Sequence, residues 1–169
     1  MSDLIVESTD TPRQSVHATA VVLGEAGVLI RGSSGSGKSR LAFALIEAAE
    51  HAGLFARLIG DDRIGVELKA GRLIARGHPL ILGKIESRGQ GILEVPFLPA
   101  AVLRLVVDLA DAGAPIPRYP EPDQDQVTVA GANLPCLTLR QDAAASDLAR
   151  AVLANLRQRH QLPSLSRFR

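Results

Sequence analysis

Tryptophan is absent from this sequence, which carries one tyrosine and four phenylalanines. Single-stranded nucleic acid is commonly held on stacked aromatic side chains, and the chain has few with which to build such a platform. An excess of either charge is also missing: 19 basic and 18 acidic residues leave a formal net charge of +1. That balance supplies no broad field for nucleic acid or an anionic membrane, so neither is an expected partner. The one cysteine, Cys136, excludes an internal disulfide and a cysteine-built zinc site. It sits in the apolar run Leu134–Leu139 and reads as a small buried hydrophobe. No apolar run approaches the ~20 residues that cross a bilayer. The opening MSDLIVESTDTPRQ lacks the basic-then-apolar pattern of a secretory leader. A cytoplasmic location is expected.

What the chain does have is an ordinary globular composition, 46% hydrophobic and 22% charged over 169 residues. This suits one domain over 15–169, preceded by a flexible, polar segment 1–14. Ser15–Leu23, Val28–Arg31 and Phe55–Gly60 read as strands, and Ser39–His51 as an amphipathic helix stopped near Gly53. Ile64–Leu68 and Arg72–Arg76 flank a Lys69-Ala-Gly71 turn and predict a hairpin. Pro79–Ile85, Ile92–Val95, Ala101–Leu109, Val127–Ala130 and Leu134–Leu139 suggest further strands. Residues 111–126 form a proline- and acid-rich loop, and Ala143–Arg159 is the closing helix. The expected class is α/β, strand-rich, without the regular alternation of a doubly wound nucleotide fold.

The most specific feature is Gly32-Ser33-Ser34-Gly35-Ser36-Gly37-Lys38-Ser39, which satisfies G-x-x-x-x-G-K-[ST] at every required position. Its glycines let backbone N–H groups converge on phosphate oxygens, and the following helix adds its positive end. Lys38 would neutralise the β- and γ-phosphates of a nucleoside triphosphate, and the Ser39 hydroxyl would ligate Mg²⁺. A buried strand before the motif and a helix after it are its proper context.

A phosphate loop needs a carboxylate to manage metal and nucleophile, and Asp61-Asp62 stands at the end of an apolar strand. One member can orient the metal while the other approaches an incoming hydroxyl. Asp62-Arg-Ile-Gly65 also spells D-x-x-G, but no N-K-x-D guanine motif accompanies it, which argues against a switch GTPase. The segment Ile85-Glu-Ser-Arg-Gly-Gln-Gly-Ile-Leu-Glu-Val95 places two glycines between apolar stretches, as for close approach to a ligand. Glu86 could be a second metal ligand and Arg88 a phosphoryl clamp; a hairpin with a surface ion pair is the other reading.

These residues together resemble the HPr kinase/phosphorylases, serine kinases of the phosphocarrier protein HPr. Val16-His17, GSSGSGKS, Leu58-Ile-Gly-Asp-Asp-Arg-Ile64 and IESRGQGILEV resemble that family's segments in order. The resemblance implies a strand-rich P-loop domain with a phosphoenolpyruvate carboxykinase-like fold. It also implies a kinase using ATP (or pyrophosphate), and a phosphorylase in which inorganic phosphate attacks phosphoserine to yield pyrophosphate. By matched position, Asp62 is the proton acceptor and donor, Asp61 its partner, and Lys38 the phosphate lysine. Ser39 and Glu86 are the magnesium ligands, and Arg88 serves both directions. His17, a structural strand histidine on the residues alone, becomes an active-site histidine. A homohexamer is implied as well.

Two departures stand out. The family has Glu after the phosphate-loop serine, where this chain has Arg40. Its catalytic (K/R)-x-G-R-N loop corresponds to Thr138-Leu-Arg-Gln-Asp-Ala-Ala-Ala-Ser146, which keeps only Arg140. The match is to the family's catalytic half, in the short form resembling α-proteobacterial members. A P-loop kinase of small metabolites and a non-catalytic ATP-binding regulator are the competing readings. The basic tail (Arg157, Arg159, Arg167, Arg169) reads as a solvated helix end.

Overall fold

The computed structural model describes residues 13–119, 121 and 124–162, and the statements below refer to these. They form eleven strands and two α-helices. The strands are β1 (Gln14–His17), β2 (Thr19–Leu23), β3 (Ala26–Gly32), β4 (Ala56–Gly60), β5 (Arg63–Lys69) and β6 (Arg72–Gly77). They continue with β7 (Lys84–Ser87), β8 (Gly91–Glu94), β9 (Ala100–Ala110), β10 (Gln126–Val129) and β11 (Ala132–Arg140). The helices are α1 (Lys38–His51) and α2 (Ala145–Gln158).

Nine strands join one sheet, in the order β1-β5-β6-β9-β3-β2-β4, with β11 on β9 and β10 on β11. Strand β9 is its spine. Its first residues pair antiparallel with β6, while β3 and β11 both run parallel to it. The remaining strands, β7 and β8, make a separate hairpin. Mixed pairing of this kind is the strand-rich α/β class expected from sequence.

All five residues of β2 are buried, because the sheet is covered on both faces and alternation has no solvent side to serve. Val21, Leu23, Val28, Ile30, Leu105 and Val107 pack on one side with Leu41 and Leu45 of α1 and Val152 and Leu156 of α2. Ala20, Val22, Leu29 and Val106 point the other way, into a core with Ile64, Val66, Leu73 and Cys136. Truncating a fully buried leucine such as Leu45 or Leu156 to alanine would cost about 2–5 kcal/mol.

The structure corrects several boundaries. Ser15–Leu23 is two strands. The chain crosses from β5, the partner of β1, to β3 and β4, the partners of β2, and Ala18 N–H instead bonds the Asp62 carbonyl at 3.3 Å. Pro79–Ile85 is not a strand throughout: Pro79–Ile81 is a 3₁₀ turn with proline at its start. There the ring's missing N–H costs nothing, and the His78 imidazole accepts from Leu80 N–H. Helix α2 begins at Ala145, two residues later than expected. The expected flexible segment 1–14 lies outside the described residues except for Arg13 and Gln14, and Gln14 already pairs with Val66. Arg167 and Arg169 lie outside them too.

Candidate active site

Strand β3 delivers the chain to the phosphate loop and α1 carries it away. The loop turns through a Ser36 N–H bond to the Ser33 carbonyl at 3.1 Å, and Leu41 N–H to Gly37 C=O at 2.9 Å opens the helix. Gly35 and Gly37 have φ of 80° and 95°, the left-handed region open to glycine. A Cβ on Gly35 would lie 2.6 Å from an Arg88 guanidinium nitrogen, so glycine lets Arg88 close over the loop. No side chain caps the start of α1 and no acid stands in its first turn. Its free N–H groups therefore remain available to an anion.

Lys38 is buried and folds back, its ammonium donating to the carbonyls of Gly32 at 3.1 Å and Ser33 at 2.9 Å. Burial pulls its pKa below the ordinary lysine value, against the opposing attraction of Asp61 and Asp62. Above the loop opens a cleft of about 730 Å³, bordered by Ser34–Arg40 and Phe43, by Glu86–Arg88 and by Ala112, Gln141 and Asp142. Its size suits a nucleotide-sized ligand.

The two neighbouring aspartates do different work. Asp61 is only 7% exposed. Its carboxylate accepts from Thr19 Oγ1 at 2.6 Å, from Ser39 Oγ at 3.0 and 3.1 Å, and from the Glu86 backbone N–H at 3.1 Å. One carboxylate thus ties β2, α1 and β7 together beside the loop.

Asp62 points away. It is the apex of a three-residue turn closed by Arg63 N–H to Asp61 C=O at 2.7 Å, with φ at 65°. Turns of this kind are rare and strained, and they persist where the surroundings hold them. The holding group here is His17, on the neighbouring β1. Its Nδ1 lies 3.1 Å from both the Asp62 carbonyl and the Asp62 Oδ1. Two acceptors facing one ring nitrogen require that nitrogen to carry a proton. The carboxylate of Asp62 stays exposed, held but reachable.

Most residues singled out from sequence therefore meet around the loop: Lys38, Ser39, Asp61, Glu86 and Arg88 directly, and His17 through Asp62. Glu86 reaches Asp61 with its backbone, while its carboxylate faces solvent. Arg140 is the one the structure holds apart. Its guanidinium chelates Asp142 at 3.1 and 3.0 Å, and its two successors border the cleft instead.

Sequence reasoning missed Thr19, although a lone hydroxyl in the apolar run TAVVL was a visible signal. It also passed over Gln141, although the stretch Thr138–Ser146 that contains it was matched to the family's basic loop. Beneath the loop, Arg31 and Asp108 face each other across β3 and β9 in a bidentate pair with both contacts at 2.7 Å. Burial pushes the Asp108 pKa up, but Arg31 outweighs it and holds the carboxyl below its ordinary value. A smaller hollow of about 260 Å³ among Arg13, Arg63 and Arg76 shares no residue with the cleft. Glu67 engages two of those arginines.

The donor set fits a phosphate-bound magnesium ion. No three carboxylate, histidine or cysteine side chains cluster among the described residues. Mg²⁺ in phosphate loops takes one or two protein ligands and completes its shell with phosphate and water. Ser39, held by Asp61, and Glu86 both border the cleft and are such a pair.

The family model described as HPr Serine kinase C-terminal domain matches residues 9–159. The chain belongs to that family. Among relatives of this HPr serine kinase domain, the HPr kinase/phosphorylase of Mycoplasma mycoides is 42% identical over 85 residues, 50% of this chain and 25% of that protein. The HPr kinase/phosphorylase of Clostridium tetani is 34% identical over 102 residues, 60% of this chain and 31% of its own length. The chain thus spans about a quarter to a third of the curated relatives it matches. The solved Hpr(Ser) kinase/phosphatase from Coxiella burnetii superposes with a TM-score of 0.73 at 24% identity, covering 88% of this chain and 99% of that one. That likeness establishes the HPr kinase domain's fold.

Proposed function

We propose that this domain is an ATP-dependent protein serine kinase that phosphorylates HPr, and that it also removes the phosphate by phosphorolysis. The observation that carries this reading is the division of labour at Asp61-Asp62. One carboxylate is buried against the phosphate-loop serine, and the next is exposed on a strained turn where a hydroxyl can reach it. Membership of the family supplies the acceptor.

In this reading the loop N–H groups and the open end of α1 bind the phosphates, and Lys38 exchanges its own loop carbonyls for phosphate oxygens. Ser39, oriented by Asp61, and the Glu86 carboxylate would hold Mg²⁺, which neutralises charge on the transferring phosphoryl. Asp62 accepts the proton of the HPr serine as its oxygen attacks, and the His17 N–H fixes the carboxylate in position. Arg88, over Gly35, meets charge on the group in transit. In the reverse direction phosphate occupies the loop and attacks phosphoserine. Pyrophosphate forms, and Asp62 returns the proton to the serine oxygen, as microscopic reversibility requires. Arg140 joins either direction only by releasing Asp142. A homohexamer working in the cytoplasm completes the reading.

The test is incubation with Mg-ATP and HPr, then with phosphoserine-HPr and inorganic phosphate. Phosphoserine on HPr in the first step and pyrophosphate in the second are expected. Phosphorylation of a small molecule with none on HPr would sink the proposal, and nucleotide binding without transfer would make the domain a regulator.

A further inference from the structure

The groups named so far account for only part of the cleft's lining. Ser39, Asp61, Glu86 and Arg88 mark where the transferred phosphoryl must lie. The rest of the lining includes Arg40 and Phe43, one helical turn apart on α1, and Ala112, Gln141 and Asp142, the last of these held by Arg140. Arg40 is exposed, and no carboxylate pairs with it among the described residues. Its guanidinium lies over Gly37, with Nη2 3.5 Å from where a Cβ would stand, and reaches the Gln141 carbonyl at 3.4 Å. The Gln141 backbone is fixed from the other direction by its N–H to Ala110 C=O at 3.0 Å. Its side-chain oxygen is buried without a hydrogen-bond partner. Gln141 itself lines the cleft, so rotation of its amide would bring that unpaired oxygen to a ligand there.

We infer that this part of the cleft is the nucleoside subsite, with Arg40 stacking on the base and the Gln141 amide turning to bond its edge. The inference rests on the reading of the loop as a nucleotide site. A triphosphate anchored in the loop with its γ-end against Ser39 and Arg88 must send its nucleoside away from them. The lining left to it offers a planar cation, an aromatic ring, a small alanine and an unsatisfied amide. Arginine stacks on π-faces, and a glutamine amide matches the paired donor and acceptor of adenine. The phosphates already have Lys38, Arg88 and the loop N–H groups. Arg40 therefore distinguishes a nucleotide from a bare polyphosphate.

The experiment is calorimetric titration of the intact chain with Mg-ATP, Mg-ADP and magnesium tripolyphosphate. Arg40→Ala should weaken both nucleotides by about tenfold, the scale of one lost stacking contact, and leave tripolyphosphate within about twofold. Retained tripolyphosphate binding also reports that the variant is folded. Arg40→Lys should recover little, since an ammonium keeps the charge but lacks the plane. Gln141→Ala should weaken the nucleotides alone. Equal loss of tripolyphosphate and ATP would overturn the inference by making Arg40 a phosphate clamp, as would nucleotide affinity unchanged in Arg40→Ala. A wild-type chain that binds neither ligand would refute the loop reading itself. HPr enters no arm, so the acceptor assignment stands or falls separately.

Discussion

The Thr19 hydroxyl donates a 2.6 Å hydrogen bond to the Asp61 carboxylate, from a fully buried position at the start of β2, two residues after His17. That bond fixes the carboxylate that in turn accepts from Ser39. Thr19→Val keeps the shape and removes the donor. We expect a loss of about 1–2 kcal/mol in urea unfolding. The half-saturating Mg²⁺ concentration for transfer should rise several-fold, because Ser39 is less firmly oriented. Unchanged Mg²⁺ dependence would show that Asp61 needs no help from β2.

The strained turn at Asp62 separates function from stability. Asp62→Asn should lower kcat by about 10²–10⁴-fold while ATP affinity stays within a few-fold. Asp62→Gly should be equally inactive yet more stable than Asp62→Ala by about 1 kcal/mol, because only glycine enters φ near 65° without cost. Thermal unfolding of the three variants beside single-turnover assays checks both halves. A large loss of ATP binding in Asp62→Asn would refute the role assigned to it.

Arg31 and Asp108 should govern acid stability beneath the loop. The Asp108 pKa is lowered in the fold from an ordinary 3.8, so its contribution is present above that value and lost as pH falls through the folded one. Asp108→Asn should cost about 1–2 kcal/mol at pH 7, a figure tempered because the pair is about one-third exposed. The variant's stability should also decline less steeply below about pH 4. Urea midpoints measured from pH 2 to 7 would show it, and parallel curves would contradict it.

Cys136 should be inert. Burial, then the neighbouring Asp108 charge, pushes its thiol up to about 12. At pH 8 roughly one molecule in ten thousand would carry the thiolate there. Alkylation by iodoacetamide should therefore be negligible in native buffer and complete in urea. Rapid native labelling would show the site to be open.

Local chemistry settled much of this in advance. A glycine-rich octad between an apolar strand and a helix is legible locally as a candidate phosphate loop, since the convergence of its N–H groups follows from its own residues. The Ile64–Leu68 and Arg72–Arg76 hairpin is likewise written in its turn. The residue order around Asp61-Asp62 and Glu86–Gly91 was enough to suggest the family. Tertiary structure decided what local pattern cannot carry. Two adjacent aspartates look equivalent in sequence, and a reversed backbone angle at Asp62 sends one carboxylate inward to Thr19 and Ser39 and the other outward to His17. Their partners lie 42, 22 and 45 residues away, distances over which periodicity says nothing. Arg40 and Gln141 meet across 101 residues for the same reason. The loop could be read from its letters; the walls that tell it which ligand to hold exist only once β3, β9 and β11 lie side by side.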